Sequence, residues 1–294
     1  MTEVAIIGGD KREKILSKIL SEKYNMRILG QPDNFNLNSN NKHIISPDIK
    51  KVIKGADVVI APMSGTDEQG YLKSSFVDEK VKLDMEFFNI LKNNVLFIIG
   101  TTVAGIKNIL ATKDINFIEL AKQDDLAILN AIPTAEESIK IAIEETETTI
   151  HSSNILIMGL GKVGLSLAWR LKNIGAKVYS VTRSKKAIAR GNDLGFDMLK
   201  YNELENILPD MDIIYNTVPA LILTASYFKY ITRDTVIIDL ASAPGGIDFD
   251  KAEEQGIKAM LAPGLPGKSA PKTAGKILGN YLPELISKHL LAED

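Results

Sequence analysis

The sequence predicts an α/β protein made of two doubly wound parallel-sheet domains, joined by a crossover helix and a returning C-terminal helix. Three observations predict it. Short apolar runs recur along most of the chain. Each is followed by a turn or loop and then mostly by a helical pattern, and alternating β and α elements imply a parallel sheet covered on both faces. The 294 residues are enough for two such domains, each with its own core.

In the first half, Val4-Ala5-Ile6-Ile7 reads as a strand leading into Gly8-Gly9-Asp10. A helix follows with Ile15, Leu16, Ile19 and Leu20 on one face. Asp57 to Ala61, Val95 to Ile99 and Asn116 to Leu120 read as further strands. The Asn-rich stretch from Gln31 to Asn41 reads as a surface loop. Pro133-Thr134 is expected to open a long helix to about Ile150, with Thr134 as N-cap and Glu137 as its capping-box partner. Strands then fall at Ile155 to Met158, Lys177 to Val181, Ile213 to Asn216, Val236 to Leu240 and Ala259 to Ala262. A terminal helix runs from Lys272 to about Leu291. The expected domains are residues 1–132, flavodoxin-like and completed by the helix over 272–294, and residues 133–271, with a deep cleft between them.

Composition narrows the function classes. There is no cysteine, which excludes disulfides, zinc–thiolate sites and thiol nucleophiles. With three histidines, no His-rich metal site is expected. The net charge of −2 offers no field for nucleic acid or an anionic membrane. MTEVAIIGGDKREK lacks the basic region of a signal peptide, and no apolar run is long enough to span a bilayer, so a cytoplasmic protein is expected.

The strongest motif is Gly159-Leu160-Gly161-Lys162-Val163-Gly164. It directly follows an apolar strand, opens an amphipathic helix, and is followed by another strand within one βαβ unit. Gly159 suits the tight turn, Gly161 lets backbone approach a pyrophosphate, and Gly164 lets helix and strand pack closely. The helix start presents free N–H groups to phosphate. The C-terminal domain is therefore read as a Rossmann NAD(P)-binding domain. An NAD site usually ends the next strand with an acid on the ribose. This chain has Thr182, Arg183, Ser184 and Lys185 there, which suits the 2′-phosphate of NADP. A solvated basic turn that accepts NAD is the other reading. Thr217, Val218 and Pro219 after one strand, and Ala241 and Ser242 after the next, should line the nicotinamide side. Asp239 reads as a structural anchor of its loop.

Further polar groups lie at predicted strand ends. Arg12 is one of only two arginines before Arg170. It reads either as a carboxylate clamp or as a surface ion-pair partner of Glu13 or a nearby acid. Ser64, Thr66, Thr101 and Thr102 follow strands of the first domain. The Pro- and Gly-rich run from Ala262 to Gly275, with Pro263, Gly264 and Lys272, reads as a carboxylate-binding loop or a hinge. Gly8-Gly9 lacks a third glycine, so no second dinucleotide is assigned. His43 beside a polar loop, His151 at the end of the connecting helix and His289 in the terminal helix read as surface or interdomain residues.

VAIIGGDKR, KQDDLAILNAIPTAE, TIHSSNILIMGLGKVG, YNTVPALIL, IIDLASAPGGIDF and AMLAPGLPGKSAPKTAGKIL span nearly the whole chain. Together they resemble the A subunit of bacterial dipicolinate synthase. The last two are the most specific, while Ser64-Gly65-Thr66-Asp67 matches the family only loosely. The resemblance implies oxidation of dihydrodipicolinate to dipicolinate with NADP, together with a flavoprotein-like B subunit, in the mother-cell cytoplasm during sporulation. A homo-oligomer is also compatible with it. The dicarboxylate substrate would need cationic or N–H partners, for which Arg12, Lys272, Ser64, Thr66, Thr101 and Thr102 are candidates, with Pro263 and Gly264 beside them. No catalytic residue is assigned, because no general base stands out. Two other readings stay open: a 2-hydroxyacid dehydrogenase, against which the lack of a histidine after the last strand argues, and a non-catalytic NADP-binding regulatory subunit.

Overall fold

A computed structural model describes residues 1–30, 35–37, 41–76, 80–242 and 245–291. The chain divides into two compact units, Met1–Leu129 with Ala270–Asp294, and Asn130–Ser269.

The first unit contains β1 (Glu3–Ile7), α1 (Lys11–Leu20), β2 (Asn25–Leu29), β3 (His43–Ser46), α2 (Ile49–Ile53), β4 (Val58–Ile60), α3 (Met85–Ile90), β5 (Leu96–Ile99), α4 (Ala104–Thr112) and β6 (Phe117–Glu119). Its sheet is parallel, in the order β3-β2-β1-β4-β5-β6. The two-residue period of a strand explains the layers. Val4, Ile6, Val58 and Ile60 face one side, where Leu16 and Leu20 of α1 pack. Ala5, Ile7, Val59, Phe97 and Ile99 face the other, where Val52, Ile53, Phe87, Phe88, Ile106 and Leu110 pack.

This order corrects the flavodoxin-like expectation. Edge strand β3 gives the arrangement 3-2-1-4-5-6, which is the Rossmann order and not the flavodoxin order 2-1-3-4-5. Strands β2 and β3 carry no clear apolar run, because Asn25, Arg27 and His43 interrupt them. The predicted surface loop is also corrected in part: Phe35 and Leu37 are buried in the first core, while Gln31 to Asn34 and Asn38 to Asn40 lie outside the described residues. His43 lies in a strand, its Nδ1 accepting the Met26 N–H at 3.3 Å.

The second unit contains most of α5 (Asp124–Glu145), then β7 (Asn154–Met158), α6 (Lys162–Ile174), β8 (Lys177–Val181), α7 (Lys185–Asp193), β9 (Asp197–Leu199), α8 (Leu204–Ile207), β10 (Ile213–Asn216), α9 (Ala225–Phe228), β11 (Val236–Asp239), α10 (Phe249–Glu254), β12 (Lys258–Leu261) and α11 (Leu265–Ser269). The sheet is again parallel, in the order β12-β11-β10-β7-β8-β9. Leu167, Ala168 and Leu171 of α6 and Ala135 and Ile139 of α5 cover one face. Leu204, Leu208, Phe228 and Ala252 cover the other. Tyr215 of β10 is buried and donates to the Ser138 carbonyl of α5 at 3.1 Å. Short β9, which starts on Asp197 and is followed by Lys200, has no clear signature in the sequence.

Helix α5 departs from the expected start at Pro133. It begins at Asp124 and holds Pro133 in its interior. The strong helix formers before the proline outweigh one missing N–H bond. The Thr134 hydroxyl donates back to the Asn130 carbonyl at 2.8 Å and so is not an N-cap. Glu137 pairs with Lys140 at 3.3 Å. The helix ends at Glu145, so His151 sits in a later turn, its Nδ1 3.2 Å from the Ile174 carbonyl. The Pro- and Gly-rich run is not an extended loop either, because α11 forms within it.

The last helix, α12 (Pro271–Leu291), returns to the first unit and lies parallel to α1. Gly275 and Gly279 make the approach close. A β-carbon at Gly275 would lie 2.8 Å from the Arg12 carbonyl oxygen, and one at Gly279 would lie 2.6 Å from Ile19. Gly275→Ala therefore tests this packing. Helix propensity alone would favour alanine by about 1 kcal/mol. The overlap with backbone should reverse the sign, to a net loss of about 1–2 kcal/mol in urea unfolding; a stabilised variant would contradict the close approach.

Candidate functional site

In the second unit the glycine loop follows β7 at the carboxyl edge of the sheet, where parallel α/β folds bind ligands. Gly159 has φ +91°, a conformation that suits glycine. A β-carbon there would lie 2.6 Å from the Thr217 hydroxyl oxygen, and one on Gly164 would overlap the Gly159 carbonyl. The Thr217 hydroxyl donates to the carbonyls of Met158 and Gly159 at 3.0 and 3.2 Å, which fixes the loop. Gly161 differs from both. It is the N-cap of α6, no side chain caps the helix, and a β-carbon on it would meet nothing within 4 Å. Leu160 is buried, whereas Gly161 and Lys162 are exposed and Val163 is half-buried. Open space in front of an uncapped helix start fits the pyrophosphate of a dinucleotide.

The neighbouring strand ends share this edge. The Gly159 N–H donates to the Val181 carbonyl at 2.8 Å, which sets the glycine loop beside the end of β8. Thr182 and Arg183 follow, with Arg183 exposed. Ser184 is the N-cap of α7, its hydroxyl oxygen accepting the Ala187 N–H at 3.3 Å, and Lys185 begins that helix. On the other side, Thr217, Val218 and Pro219 follow β10. The Asn216 amide donates to the Val218 carbonyl at 3.0 Å and to Asp239 at 2.8 Å. Asp239 also accepts the N–H groups of Ala241 at 2.9 Å and Gly246 at 2.6 Å. This buried carboxylate thus anchors its loop, as its position in the sequence suggests. Ser242 is exposed next to it, while Ala243 and Pro244 lie outside the described residues.

The first unit treats the same position differently. Gly8 and Gly9 have φ +82° and +108° and lead into α1. Here Asp10 is the N-cap and Glu13 completes a capping box. Buried Glu13 accepts the N–H groups of Asp10 at 2.8 Å and Met63 at 2.9 Å. Burial raises its pKa, against the pull of Arg12 and those N–H groups. Two carboxylates therefore occupy the helix start, so no phosphate is expected there. Arg12 is itself buried and grips Asp10, with Nε at 3.0 Å and the NH2 nitrogen at 2.8 Å from its oxygens. Burial opposes ionisation of Asp10, but the hydrogen bonds from Arg12 outweigh it and lower its pKa. An ion pair with a nearby acid is formed, but Arg12 is buried in it and not at the surface as expected.

Ser64 and Thr66 follow β4, and Thr101 and Thr102 follow β5. A β-carbon on Gly65 would overlap the Thr101 carbonyl, so the two loops touch. Ser64 is half-buried and Thr101 exposed. The hydroxyls of Thr66 and Thr102 are buried without a hydrogen-bond partner. Glu119, at the end of β6, accepts the Thr102 N–H at 3.3 Å and pairs with Lys107 at 3.1 Å and with Lys122. Burial would raise its pKa, yet hydrogen bonds from Lys122 and Lys107 prevail and lower it.

Lys272 is exposed in the first turn of α12, beside the start of α1. Arg12 and Lys272 thus both belong to the first unit, to which the terminal helix returns. Pro263 and Gly264 belong to the second unit, both exposed, with Gly264 at φ +69°. The sequence reading missed the roles of Asp10 and Glu13, although their spacing is that of a capping box. It also missed Glu119, which no local motif marks. No group of metal-ligating side chains occurs among the described residues, and no helix among them is long and apolar enough to cross a membrane.

A Rossmann-ordered sheet with an open glycine loop defines a nicotinamide-dinucleotide-binding chain of the dehydrogenase class. Residues 127–244 match the NAD-binding domain of the D-isomer specific 2-hydroxyacid dehydrogenases, and residues 3–121 match the N-terminal domain of the A subunit of dipicolinate synthase. The A subunit of dipicolinate synthase from Bacillus subtilis (strain 168) is 36% identical over 288 residues, 97% of this chain and 96% of the relative. The crystal structure of the A subunit from Bacillus halodurans aligns with a TM-score of 0.90 at 36% identity, covering 97% of each chain. That of the Bacillus subtilis protein aligns with a TM-score of 0.90 at 35% identity, covering 100% of this chain and 98% of the other. The chain belongs to the family of dipicolinate synthase A subunits.

The local geometry makes the three glycines separable by mutation. Gly161→Val should fold with the parental melting temperature yet lose dinucleotide binding in calorimetry, whereas Gly164→Val should lose stability through its overlap with Gly159; a Gly161→Val protein with undiminished affinity would refute the loop's role. Glu119 offers a test by acid. A carboxylate with a lowered folded-state pKa contributes stability above its unfolded value near 4, and loses it as pH falls through the folded one. Glu119→Gln should therefore cost about 1–2 kcal/mol at pH 7, discounted for the exposed lysines. Its deficit relative to the parent should shrink below about pH 4 in urea titrations.

Proposed function

We propose that this chain oxidises dihydrodipicolinate to dipicolinate with NADP, acting with a B subunit that resembles flavoproteins. The observation that carries this reading is the union, in one chain, of the N-terminal domain of the dipicolinate synthase A subunits with an open dinucleotide loop. In the reaction the substrate ring loses a hydride and a proton as it becomes aromatic. The nicotinamide supplies the hydride acceptor when bound. Gly161 and the first N–H groups of α6 hold the pyrophosphate. Arg183 faces the ribose, where the 2′-phosphate of NADP would match its guanidinium. Thr217, Val218, Pro219, Ala241 and Ser242 line the nicotinamide side.

The substrate's two carboxylates are assigned to the loops after β4 and β5. Ser64 and Thr101 are accessible donors there, and the hydroxyls of Thr66 and Thr102 on the same loops are unpartnered. Lys272, at the start of α12, adds a cation in the same unit. Arg12 contributes through the Asp10 pair that shapes the first loop. Pro263 and Gly264 stay with the second unit and form the turn after its last strand. The expected setting is the cytoplasm of the sporulating mother cell.

An assay of dipicolinate formation with NADP, using this chain with and without the B subunit, tests the reading. Activity that requires both chains and falls with Gly161→Val is expected. No dipicolinate under either condition, with the cofactor bound, would favour a regulatory role instead. Calorimetry should show NADP binding at least tenfold tighter than NAD, and Arg183→Asp should reverse that order. Equal affinities in the parent would remove the NADP assignment.

A further inference from the structure

Arg183 has a neighbour that the glycine motif does not point to. Strands β8 and β9 pair in parallel register, with Val181 opposite Leu199. Arg183 and Tyr201 each lie two residues further on, so they follow the ends of adjacent strands that leave the sheet at the same level. The Gly159 N–H bonds Val181 on the other side of β8. Along the carboxyl edge the order is thus glycine loop, Arg183, Tyr201.

Tyr201 is held there. It begins a 3₁₀ turn over Tyr201–Glu203, which the Lys200 N–H pins by donating to Glu203 at 2.6 Å. Its ring is half-buried against the core that contains Leu204 and Leu208. The phenol feels the positive charge of Arg183, so the two side chains are within electrostatic reach of each other. Burial, the larger influence, nonetheless raises its pKa, and at neutral pH the hydroxyl remains a donor.

We propose that Tyr201 is a specificity-determining residue whose hydroxyl, beside the Arg183 guanidinium, donates a hydrogen bond to the 2′-phosphate of NADP. The inference rests on the NADP reading above and adds a residue to it. A phosphate monoester carries three acceptor oxygens, and a guanidinium fork engages two of them. A rigid hydroxyl next to the fork satisfies a third at small entropic cost. The 2′-hydroxyl of NAD has no charge to gain from the pair, so the contact discriminates between the two cofactors. The cationic residues Lys185 and Lys186 follow Arg183 on the exposed start of α7 and supply only diffuse charge.

Tyr201→Phe keeps the ring and its packing and removes only the hydroxyl. Calorimetry of the intact chain with NADP, NAD and 2′,5′-ADP reads the effect. NADP and 2′,5′-ADP should each bind about tenfold more weakly to Tyr201→Phe, as expected for a lost hydrogen bond to a charged group, with NAD unchanged. Unchanged affinity for all three would overturn the proposal. An equal loss for NADP and NAD would overturn it too, by assigning the hydroxyl to the fold of the edge. A parent that binds NADP no better than NAD would refute the NADP reading itself. A parent that prefers NADP, with a Tyr201→Phe protein that keeps the preference, would refute the role of Tyr201 alone.

Discussion

The contact between Gly164 on α6 and the carbonyl of Gly159 beyond β7 sets the geometry of the second unit's edge. A helix that starts immediately after a buried strand must bring its first turn against the strand's last carbonyls, and no β-carbon fits between them. Three features depend on this approach. Gly159 must turn with positive φ. The Thr217 hydroxyl can then reach the carbonyls on both sides of the turn. The first N–H groups of α6 come to the sheet edge with nothing in front of Gly161. The buried Asp239 holds the next loop by three hydrogen bonds, so the edge is rigid on its β10–β11 side as well.

The first unit repeats the strand order without repeating the site. Its helix α1 also starts beyond a central strand, between the two directions in which the sheet is wound. Asp10 and Glu13 cap the start of α1, where α6 has no side-chain cap, and Arg12 pairs with Asp10. A phosphate placed there would meet the oxygens of two carboxyl groups at the helix start. Topology therefore offers the same crevice twice, and the side chains at the helix start decide whether an anion enters. What the first unit offers is a set of hydroxyls and a lysine, the hydroxyls on loops that touch each other, which suits neutral or charge-assisted contacts to carboxylates.

Much of this was legible in the sequence. The long apolar strands β1, β5, β7, β10 and β11 are recognisable because strands buried on both faces need continuous apolar runs. The glycine loop was legible because backbone geometry there depends on residue type. Edge strands β3 and β9 were not, since half-exposed strands tolerate His43 and Asp197. Pro133 misled because a proline usually marks a helix start, and here the apolar packing of Ala131 and Ala135 carries α5 through it. The ion-pair role of Arg12 depends on whether its neighbour Asp10 points at it, which spacing alone does not determine. Tyr201 became visible only through the register of β8 and β9, a relation between residues far apart in the chain.

The proposed reaction also explains why this edge carries no catalytic histidine. Oxidising a hydroxy acid requires a base on the hydroxyl as the hydride departs. The run from Ala262 to Gly275, where such a histidine would be expected, contains none. His151 is turned toward the Ile174 carbonyl, and His43 serves the register of β2 and β3. A dihydropyridine ring behaves differently, because loss of its proton completes an aromatic system and is favoured by the product. The protein's remaining task is orientation, holding a planar ring so that one carbon faces the hydride acceptor. Two carboxylates on the ring define its plane, and hydroxyl donors on touching loops, such as Ser64 and Thr101, can fix that plane without taking a proton. The lack of a histidine in that run and the hydroxyls on the touching loops are then both compatible with the proposed chemistry.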